Sequence, residues 1–371
     1  MADKQNYVLW LEELPPDDAF AAGKKCSHLG EMRRAGLPVP PGFALTLDAY
    51  KKFLQDSGVE QDITDYLNKN RSKLEKDVGM FEKVSTYIIE ELILNKSMPS
   101  ELQELIMAFY EKLNEQSSLK NVPVAVRSSG PVSMPGQFDT FLNVRGEKDL
   151  MEKIIRVWAS SFNARAMAYR LQRGMALESS PIGVAVLKMI NARSSGVMFT
   201  LDPINGDRSR IFIEGSWGLG ESLVSGQVTP DKYILDKVTL DLSQKNICCK
   251  VMEMVYGPEG SIVPRDVEEE RRNAPCLNQD EILELAKLGK RLEKHYGAPQ
   301  DIEWAVDQNL PFPQNIFILQ TRPETIWSKK PAKPVAQAKG SGAEIIARQL
   351  MKGFEFSKVK KDGTDNIAPP V

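Results

Sequence analysis

The sequence predicts an α+β protein that consists of two lobes and a C-terminal tail. Apolar residues recur at spacings of three and four through residues 47–116, as in "VSTYIIEELIL", which is typical of helices. Short apolar runs such as "IGVAVLKMI" and "SGVMFTLDP" dominate later and indicate strands. A segment rich in Lys, Pro, Ala and Gly then begins at Ser328. We therefore expect a first lobe at 1–190 with an inserted helical subdomain at 47–116, a second lobe at 191–327, and a linker and tail at 328–371.

The composition excludes several classes of function. The 371 residues carry a net charge of -2, so no basic excess indicates a nucleic-acid partner or a polybasic membrane anchor. No apolar run approaches the roughly 20 residues that span a bilayer. The N-terminus lacks the apolar core of a signal peptide, and none of the four cysteines forms a C-x-x-C pair. We expect a cytoplasmic protein that binds neither nucleic acid nor membrane.

The first lobe opens with "GKKCSHLGEM", which predicts a loop and a short helix beginning near Cys26. Lys24 and Lys25 stand at the helix start, where positive charge opposes the helix dipole and so indicates an anionic ligand. The spacing is not that of a P-loop. A solvated basic surface remains the alternative.

A strand, a loop and a second strand follow in "VAVRSSGPVSMPGQFDTFLNV". Arg127 comes at the end of the first strand, beside the hydroxyls of Ser128 and Ser129 and a loop rich in Gly and Pro. An arginine fork and hydroxyls in such a place can hold phosphate oxygens. Helical sequence then covers residues 148–175.

Strands dominate the second lobe, with one further helix predicted at 279–296. One strand ends in "GSWGLGESLVSGQ", where Gly215, Gly218 and Gly220 allow the backbone to approach a ligand closely. Glu221 follows where a helix could begin. An ordinary glycine-rich turn is the alternative.

The last two strands, "DIEWAVD" and "IFILQTR", are predicted to form an antiparallel hairpin. Residues two apart in a strand share a face, which places Asp301 with Glu303, and Gln320 with Arg322 and Ile318. In a matching register, two carboxylates, one amide and one guanidinium would converge. The oxygens suit Mg²⁺ and the arginine suits a phosphate. A cross-strand salt bridge is the alternative.

Taken in order, these motifs resemble the ATP-binding part of the phosphoenolpyruvate synthase and pyruvate phosphate dikinase family, an ATP-grasp-type module. The resemblance runs from about Gly23 to Trp327 and also includes "VPPGFALT", "KHYGAPQDIEWAVD" and "ILQTRPET". Two positions depart from the family pattern. Lys24 replaces the second glycine of its G-G-K motif, and Leu187 replaces a glutamine that helps to seat the adenine.

The resemblance implies a two-lobed site for ATP and Mg²⁺. Glu303 and Gln320 would hold the metal, and Lys25, Arg127 and Arg322 would be the catalytic cations. The nucleotide-binding residues that it implies are Lys25, Arg127, Ser133, Gly136, Thr140, Lys188, Glu221, Asp301, Glu303, Gln320 and Arg322.

The same family passes phosphate from ATP to a histidine on a swivelling domain, in a G-G-x-x-[SC]-H-x-[AS] motif. The sequence contains no such motif, and its two histidines, His28 and His295, fall inside the matched module. One branch, the phenylphosphate synthases of anaerobic phenol degradation, divides these modules between two subunits. The chain resembles the smaller, ATP-binding subunit.

That resemblance implies the reaction of ATP, phenol and water to phenyl phosphate, AMP and phosphate. A partner subunit would then carry the histidine and bind the small-molecule acceptor. We expect the amphipathic "AEIIARQLMKGF" of the tail to contact that subunit. Two alternatives stay open. One is the ATP-binding fragment of a phosphoenolpyruvate synthase or antibiotic phosphotransferase, and the other is a nucleotide-sensing subunit without chemistry.

Overall fold

The computed structural model describes residues 6–16, 18–132, 138–178, 180–224, 226–257 and 261–327. Contacts divide the chain into a compact unit, Met1–Glu324, and a second unit, Thr325–Val371. The predictions for the tail concern residues 328–371, which lie outside the described residues. No helix in the described ranges is long and apolar enough to cross a membrane.

Four of the helices, α3 to α6, form the predicted helical subdomain. The α-helices of the described residues are α1 Ala19–Ala22, α2 Lys24–Arg34, α3 Leu47–Asp56, α4 Val59–Leu74, α5 Met80–Thr86, α6 Ser100–Ser117, α7 Gly146–Ala159, α8 Ala164–Gln172, α9 Glu221–Val224, α10 Glu269–Arg272 and α11 Gln279–Tyr296. A π-helical segment, Tyr87–Ile93, continues α5. Asn278 caps α11, since its side chain accepts the N–H of Glu281, whose carboxylate accepts the N–H of Asn278.

The strands form two larger sheets and one hairpin. They are β1 Val8–Trp10, β2 Gly42–Leu45, β3 Val124–Ser129, β4 Thr140–Val144, β5 Gly183–Lys188, β6 Ala192–Phe199, β7 Arg210–Trp217, β8 Asp231–Asp236, β9 Leu242–Asn246, β10 Met252–Tyr256, β11 Ile262–Asp266, β12 Gln300–Asp307 and β13 Ile316–Pro323. The sequence did not predict β1, which is short and lies in an acidic segment, or β11, which contains a proline and two charged residues.

Both larger sheets are antiparallel throughout. The first has the order β1-β2-β5-β3-β4, and the second has the order β13-β12-β6-β7-β8-β9. Helices that cover antiparallel sheets are typical of the α+β class. The predicted boundary at residue 190 falls between β5 and β6. Along the chain, β5 is the last strand of the first sheet and β6 is the first strand of the second sheet.

Two hydrophobic cores hold the sheets. The first packs the helices of the inserted subdomain and α7 against one face of the first sheet, with Phe53 and Trp158 among its fully buried side chains. The second contains residues of α2, of α11 and of strands from both sheets, among them Leu187, Met198 and Trp304. Because the second core contains residues from both sides of position 190, burial ties the two sheets together.

Candidate functional site

The final hairpin has the antiparallel pairing that the sequence predicts. Asp301 lies opposite Arg322, and Glu303 lies opposite Gln320. Side chains that lie directly opposite on neighbouring strands share a face and are close enough to interact. The hairpin therefore presents two carboxylates, an amide and a guanidinium on one surface.

A β-bulge changes how this surface is built. The register shifts between Glu303 and Trp304, so that Trp304 lies opposite Ile318 and Leu319 is the extra residue. Trp304 and Ile318 are both fully buried in the second core. The prediction that Gln320 shares a face with Ile318 is therefore wrong. The extra residue lets β13 direct isoleucine into the core and the amide to the opposite face.

Arg127 of the first sheet reaches across to this hairpin. Its Nη2 donates to Glu303 Oε2 at 3.3 Å and to Gln320 Oε1 at 3.2 Å. Gln320 Nε2 in turn donates to Glu303 Oε1 at 3.2 Å. The Nε of Arg127 is buried and has no hydrogen-bond partner within the described residues. The guanidinium thus retains a donor that an additional acceptor could use.

The salt-bridge alternative is also present in the hairpin. Arg322 Nε lies 2.6 Å from Asp301 Oδ2, although the arginine side chain is 56% exposed. The pKa of Asp301 is raised above its usual value, because the effect of burial exceeds the opposing effect of the neighbouring Arg322. Asp301 therefore positions Arg322 in this structure, and its predicted contact with a nucleotide stays a prediction.

Lys25, at the start of α2, belongs to the same group of charges. Burial lowers the pKa of its ammonium to about 8, helped by the positive charges of Arg127 and Arg322 and opposed by Glu303. Three cations thus lie together with Glu303 where α2, β3 and the last hairpin meet. Their mutual repulsion favours an anionic ligand among them.

A close joint between α2 and β3 places Lys25 there. Gly23 has φ +82, and a side-chain carbon at this position would lie 1.9 Å from the carbonyl oxygen of Ser129. Lys24 N–H donates to Gly130 O at 3.0 Å, and Cys26 N–H donates to Ser129 Oγ at 3.0 Å. The Ser129 hydroxyl therefore caps the first turn of α2.

This joint gives one of the two hydroxyls beside Arg127 a structural role. Ser128 and Ser129 are both buried, and Ser129 accepts a backbone N–H from a residue 103 positions away. No local pattern could have revealed this pairing, since the two partners lie on separate elements. The hydroxyl secures the helix that carries Lys25, and Arg127 is left as the phosphate-binding candidate of this strand.

The glycines of "GSWGLGE" approach the protein's own chain closely. A side-chain carbon at Gly218, whose φ is +73, would lie 2.4 Å from Met254 O, and one at Gly215 would lie 2.7 Å from the Trp304 ring. Ser195 Oγ also donates to Gly218 O at 2.7 Å. For these two glycines the structure supports internal packing in place of the predicted approach to a ligand.

The other predicted nucleotide-binding residues are more dispersed. Thr140 lies opposite Arg127 in the β3–β4 pair. Lys188 ends β5 and Glu221 begins α9, and in the described ranges no hydrogen bond or ion pair joins either side chain to Arg127. Ser133 and Gly136 lie outside the described residues.

Sequence reasoning missed a charged pair on the same face of the second sheet. Glu303 lies opposite Val197, Val197 opposite Glu214, and Glu214 opposite Lys232. Lys232 Nζ lies 3.7 Å from Glu214 Oε1. Only the strand order brings this pair to the face of the sheet that carries Glu303, with Val197 between them, because the strands that carry the pair are far from β12 along the chain.

The two histidines lie between α2 and α11. The ring of His28 is 5.7 Å from that of Tyr296, and His295 Nε2 lies 2.8 Å from Glu31 Oε1. Both side chains therefore contribute to the packing of these helices.

The residues of the site also fit a magnesium ion. Glu303 Oε2 and Gln320 Oε1 accept hydrogen bonds from the same nitrogen of Arg127, so these two oxygens already converge on one cationic group. Carboxylate and amide oxygens are among the ligands of Mg²⁺, which usually keeps waters or phosphate oxygens as its other ligands. The described residues contain no group of three or more acidic, histidine or cysteine side chains that could hold a metal alone.

Comparison with known proteins extends these observations. The family described as the pyruvate phosphate dikinase AMP/ATP-binding domain matches residues 20–342. A probable phosphoenolpyruvate synthase of Staphylothermus marinus is 39% identical over 377 residues, which cover 94% of this chain and 44% of that protein. The phosphoenolpyruvate synthase of Pyrococcus furiosus is 35% identical over 405 residues, which cover 96% of this chain and 49% of that protein. The chain thus spans about half the length of the curated relatives it matches.

Among solved structures, D-alanyl-alanine synthetase A from Vibrio cholerae aligns with 66% of this chain and 63% of its own chain. The identity is 10% and the TM-score is 0.24, so this likeness carries no argument about the fold.

Proposed function

Because the chain belongs to the family of the pyruvate phosphate dikinase AMP/ATP-binding domain, we propose that it cleaves Mg-ATP and passes the β-phosphoryl group to a histidine on a partner subunit. One observation carries the proposal. Lys25, Arg127 and Arg322 lie with Glu303 and Gln320 where α2, β3 and the last hairpin meet. This is the set of groups that phosphoryl transfer requires, since the reaction depends on positioning and on charge stabilisation.

The three cations have distinct roles in the proposed transfer. Lys25 supplies a compact charge from the start of α2, held in place by the Gly23–Ser129 joint. Arg127 offers the fork of donors that matches phosphate oxygens, including its unpaired Nε. Arg322, oriented by Asp301, approaches from the more exposed side. Together they offset the negative charge that develops on the transferred group.

Glu303 and Gln320 would hold the magnesium ion through one carboxylate oxygen and one amide oxygen. When bound, the ion would neutralise charge on the phosphates. Arg127, which donates to both oxygens in this structure, would then donate to the nucleotide.

The acceptor histidine is proposed to lie on another polypeptide. His28 and His295 both pack between α2 and α11, and Glu31 holds His295, which supports a phosphate acceptor from outside this chain. In the net reaction, ATP, water and the imidazole give AMP, phosphate and a phosphorylated imidazole nitrogen. The bonds from the β-phosphorus to the α- and γ-phosphates break, water supplies the oxygen of the released phosphate, and the phosphoryl group then passes from the imidazole to the acceptor.

We favour a phenol-type hydroxyl as the final acceptor, which would be converted into an aryl phosphate on the partner subunit. Pyruvate is the second candidate, because the relatives compared above are phosphoenolpyruvate synthases. A nucleotide sensor without chemistry is the remaining alternative. The complete set of three cations and two metal ligands argues against it, because a sensor needs no clamp around a transferring phosphoryl group.

Isotope transfer tests the proposal. The purified chain is incubated with [β-³²P]ATP, Mg²⁺ and the proposed histidine-bearing partner subunit. We expect acid-labile label on that subunit, and a chase with phenol should move the label to phenyl phosphate. Transfer to pyruvate alone would replace phenol with the second candidate.

Two outcomes would contradict the transfer itself. Bound ATP without label on the subunit would support the sensor, provided that equilibrium dialysis shows nucleotide binding. Label on the chain itself would show that His28 or His295 accepts the phosphate. The histidine-bearing subunit incubated without the chain is the matched control.

The affinity for ATP is expected to fall as the pH rises through about 8. Lys25 has a lowered pKa of about 8, so its ammonium is charged at neutral pH and becomes neutral above that value. An anionic nucleotide binds the charged form better. One proton linked to binding then raises the dissociation constant by up to about tenfold per pH unit. Equilibrium dialysis at fixed free Mg²⁺ measures this slope.

The variant Lys25→Arg provides the control for this pH dependence. Arginine stays charged throughout the range, so the slope above pH 8 should disappear in the variant. An equal slope in both proteins would show that another group titrates, and Lys25 would not be the source.

A further inference from the structure

A cavity separate from the candidate site lies at the end of the second sheet that is remote from Asp301. It has a volume of about 370 Å³ and opens between the start of β6, the end of β7 and the β10–β11 hairpin. Its walls include Arg193, Trp217, Glu253, Arg265 and Arg271, and none of the residues assigned above to the nucleotide or metal. Such a volume is at the lower end of the range of small-molecule sites.

Positive charge exceeds negative charge on these walls. The carboxylate of Glu253, which is only 3% exposed, lies 2.7 Å from Arg265 Nη2 and 3.2 Å from Arg271 Nη2. Two guanidinium groups therefore share one carboxylate. In the described residues no other acidic side chain lines the cavity.

Arg193 adds donors that its own partner does not use. Both of its hydrogen bonds to the buried Glu281 come from the same nitrogen, Nη2, at 2.8 and 2.7 Å. Its Nε is buried and makes no hydrogen bond within the described part of the chain. A buried donor without an acceptor is costly, so an anionic ligand in the cavity would relieve it.

An aromatic surface adjoins these donors. The guanidinium of Arg271 lies 4.5 Å from the centre of the Trp217 ring, and the indole nitrogen donates to Arg271 O at 3.0 Å. The ring and the arginine thus hold each other in place, which leaves an ordered wall that combines positive charge with an apolar face.

We propose that this cavity binds a small organic anion, a carboxylate or phosphate ester of metabolite size, at a site separate from that of ATP. The anion receives hydrogen bonds from Arg193 and Arg265 and places its carbon skeleton beside Trp217. This binding is independent of the phosphoryl transfer proposed above.

Calorimetric titration tests the proposal with inorganic phosphate, pyruvate and citrate, each at constant ionic strength set with chloride. We expect saturable binding of at least one anion at one site per chain. The organic anions distinguish a carboxylate ligand from a phosphate ligand. Heat that never saturates with any of the three would overturn the proposal.

Two variants of opposite sign locate the binding. Arg265→Gln, at a side chain that is 59% exposed, should raise the dissociation constant of the anion about tenfold or more. Glu253→Gln removes the carboxylate that Arg265 and Arg271 share and should lower the dissociation constant of the anion. The matched control is Arg208→Gln, at an exposed arginine between β6 and β7, which should change nothing. Equal affinities in all three variants would refute the assignment to this cavity.

Competition separates this site from the ATP site. Saturating Mg-ATP should leave anion binding to the wild-type protein intact, and Arg127→Met should bind the anion as the wild type does. Loss of the anion when ATP is added would show that both occupy one site. Thermal unfolding of each variant verifies that the fold is retained.

Discussion

Replacing Arg127 by methionine is expected to slow the transfer of phosphate from ATP about a hundredfold or more. The guanidinium is the one group in the described residues that hydrogen-bonds both proposed metal ligands, Glu303 and Gln320. Methionine retains the unbranched apolar stem of the side chain and removes its charge and every donor. Transfer of label from [β-³²P]ATP to the proposed histidine-bearing subunit measures the rate.

Stability should change little in the same variant. Glu303 keeps its hydrogen bond from Gln320, and its side chain is 32% exposed, so water can replace the lost partner. The loss of such a partly exposed ion pair costs about 1 kcal/mol or less.

Two further variants distinguish charge from geometry. Arg127→Lys retains the charge but not the fork of donors. Its rate of phosphate transfer should lie between the rates of the wild type and of Arg127→Met. Arg208→Met removes an exposed arginine elsewhere and should transfer phosphate at the normal rate. An Arg127→Met protein with an undiminished rate would exclude Arg127 from the reaction.

The substitution Gly23→Ala is expected to lower the free energy of unfolding by about 2–4 kcal/mol. Gly23 has φ +82, which is unfavourable for alanine, and the added carbon would lie 1.9 Å from the Ser129 carbonyl oxygen. Relief of that clash requires α2 to move away from β3. Lys25 would move with it, so ATP affinity should fall as well.

Gly36→Ala is the matched control for this prediction. Gly36 has φ +68, but no atom lies within 4 Å of the position of an added carbon. Its cost should therefore be the conformational penalty alone, about 1–2 kcal/mol, with ATP affinity unchanged. Urea denaturation compares the two variants. Equal losses would show that the contact between Gly23 and Ser129 has no energetic weight.

Features that depend on local periodicity could be predicted from the amino-acid sequence alone. The helix predicted at 279–296 is α11, and the alternation in "DIEWAVD" predicts that Asp301 and Glu303 share a face. Both follow from the side-chain periods of a helix and a strand, which need no knowledge of the rest of the fold. The serial order of the motifs also identified the family, which the comparison with known proteins confirmed.

How these elements meet depends on contacts between segments that are far apart in the chain. The bulge at Leu319 exists because Trp304 and Ile318 fill the core while Glu303 and Gln320 face away from it. Ser129 caps a helix that begins more than a hundred residues earlier. The arginines that line the cavity beside the β10–β11 hairpin lie in β6, β11 and α10. Packing and burial select each of these arrangements between segments far apart in the chain, and a local pattern carries no record of which distant segment will be the neighbour.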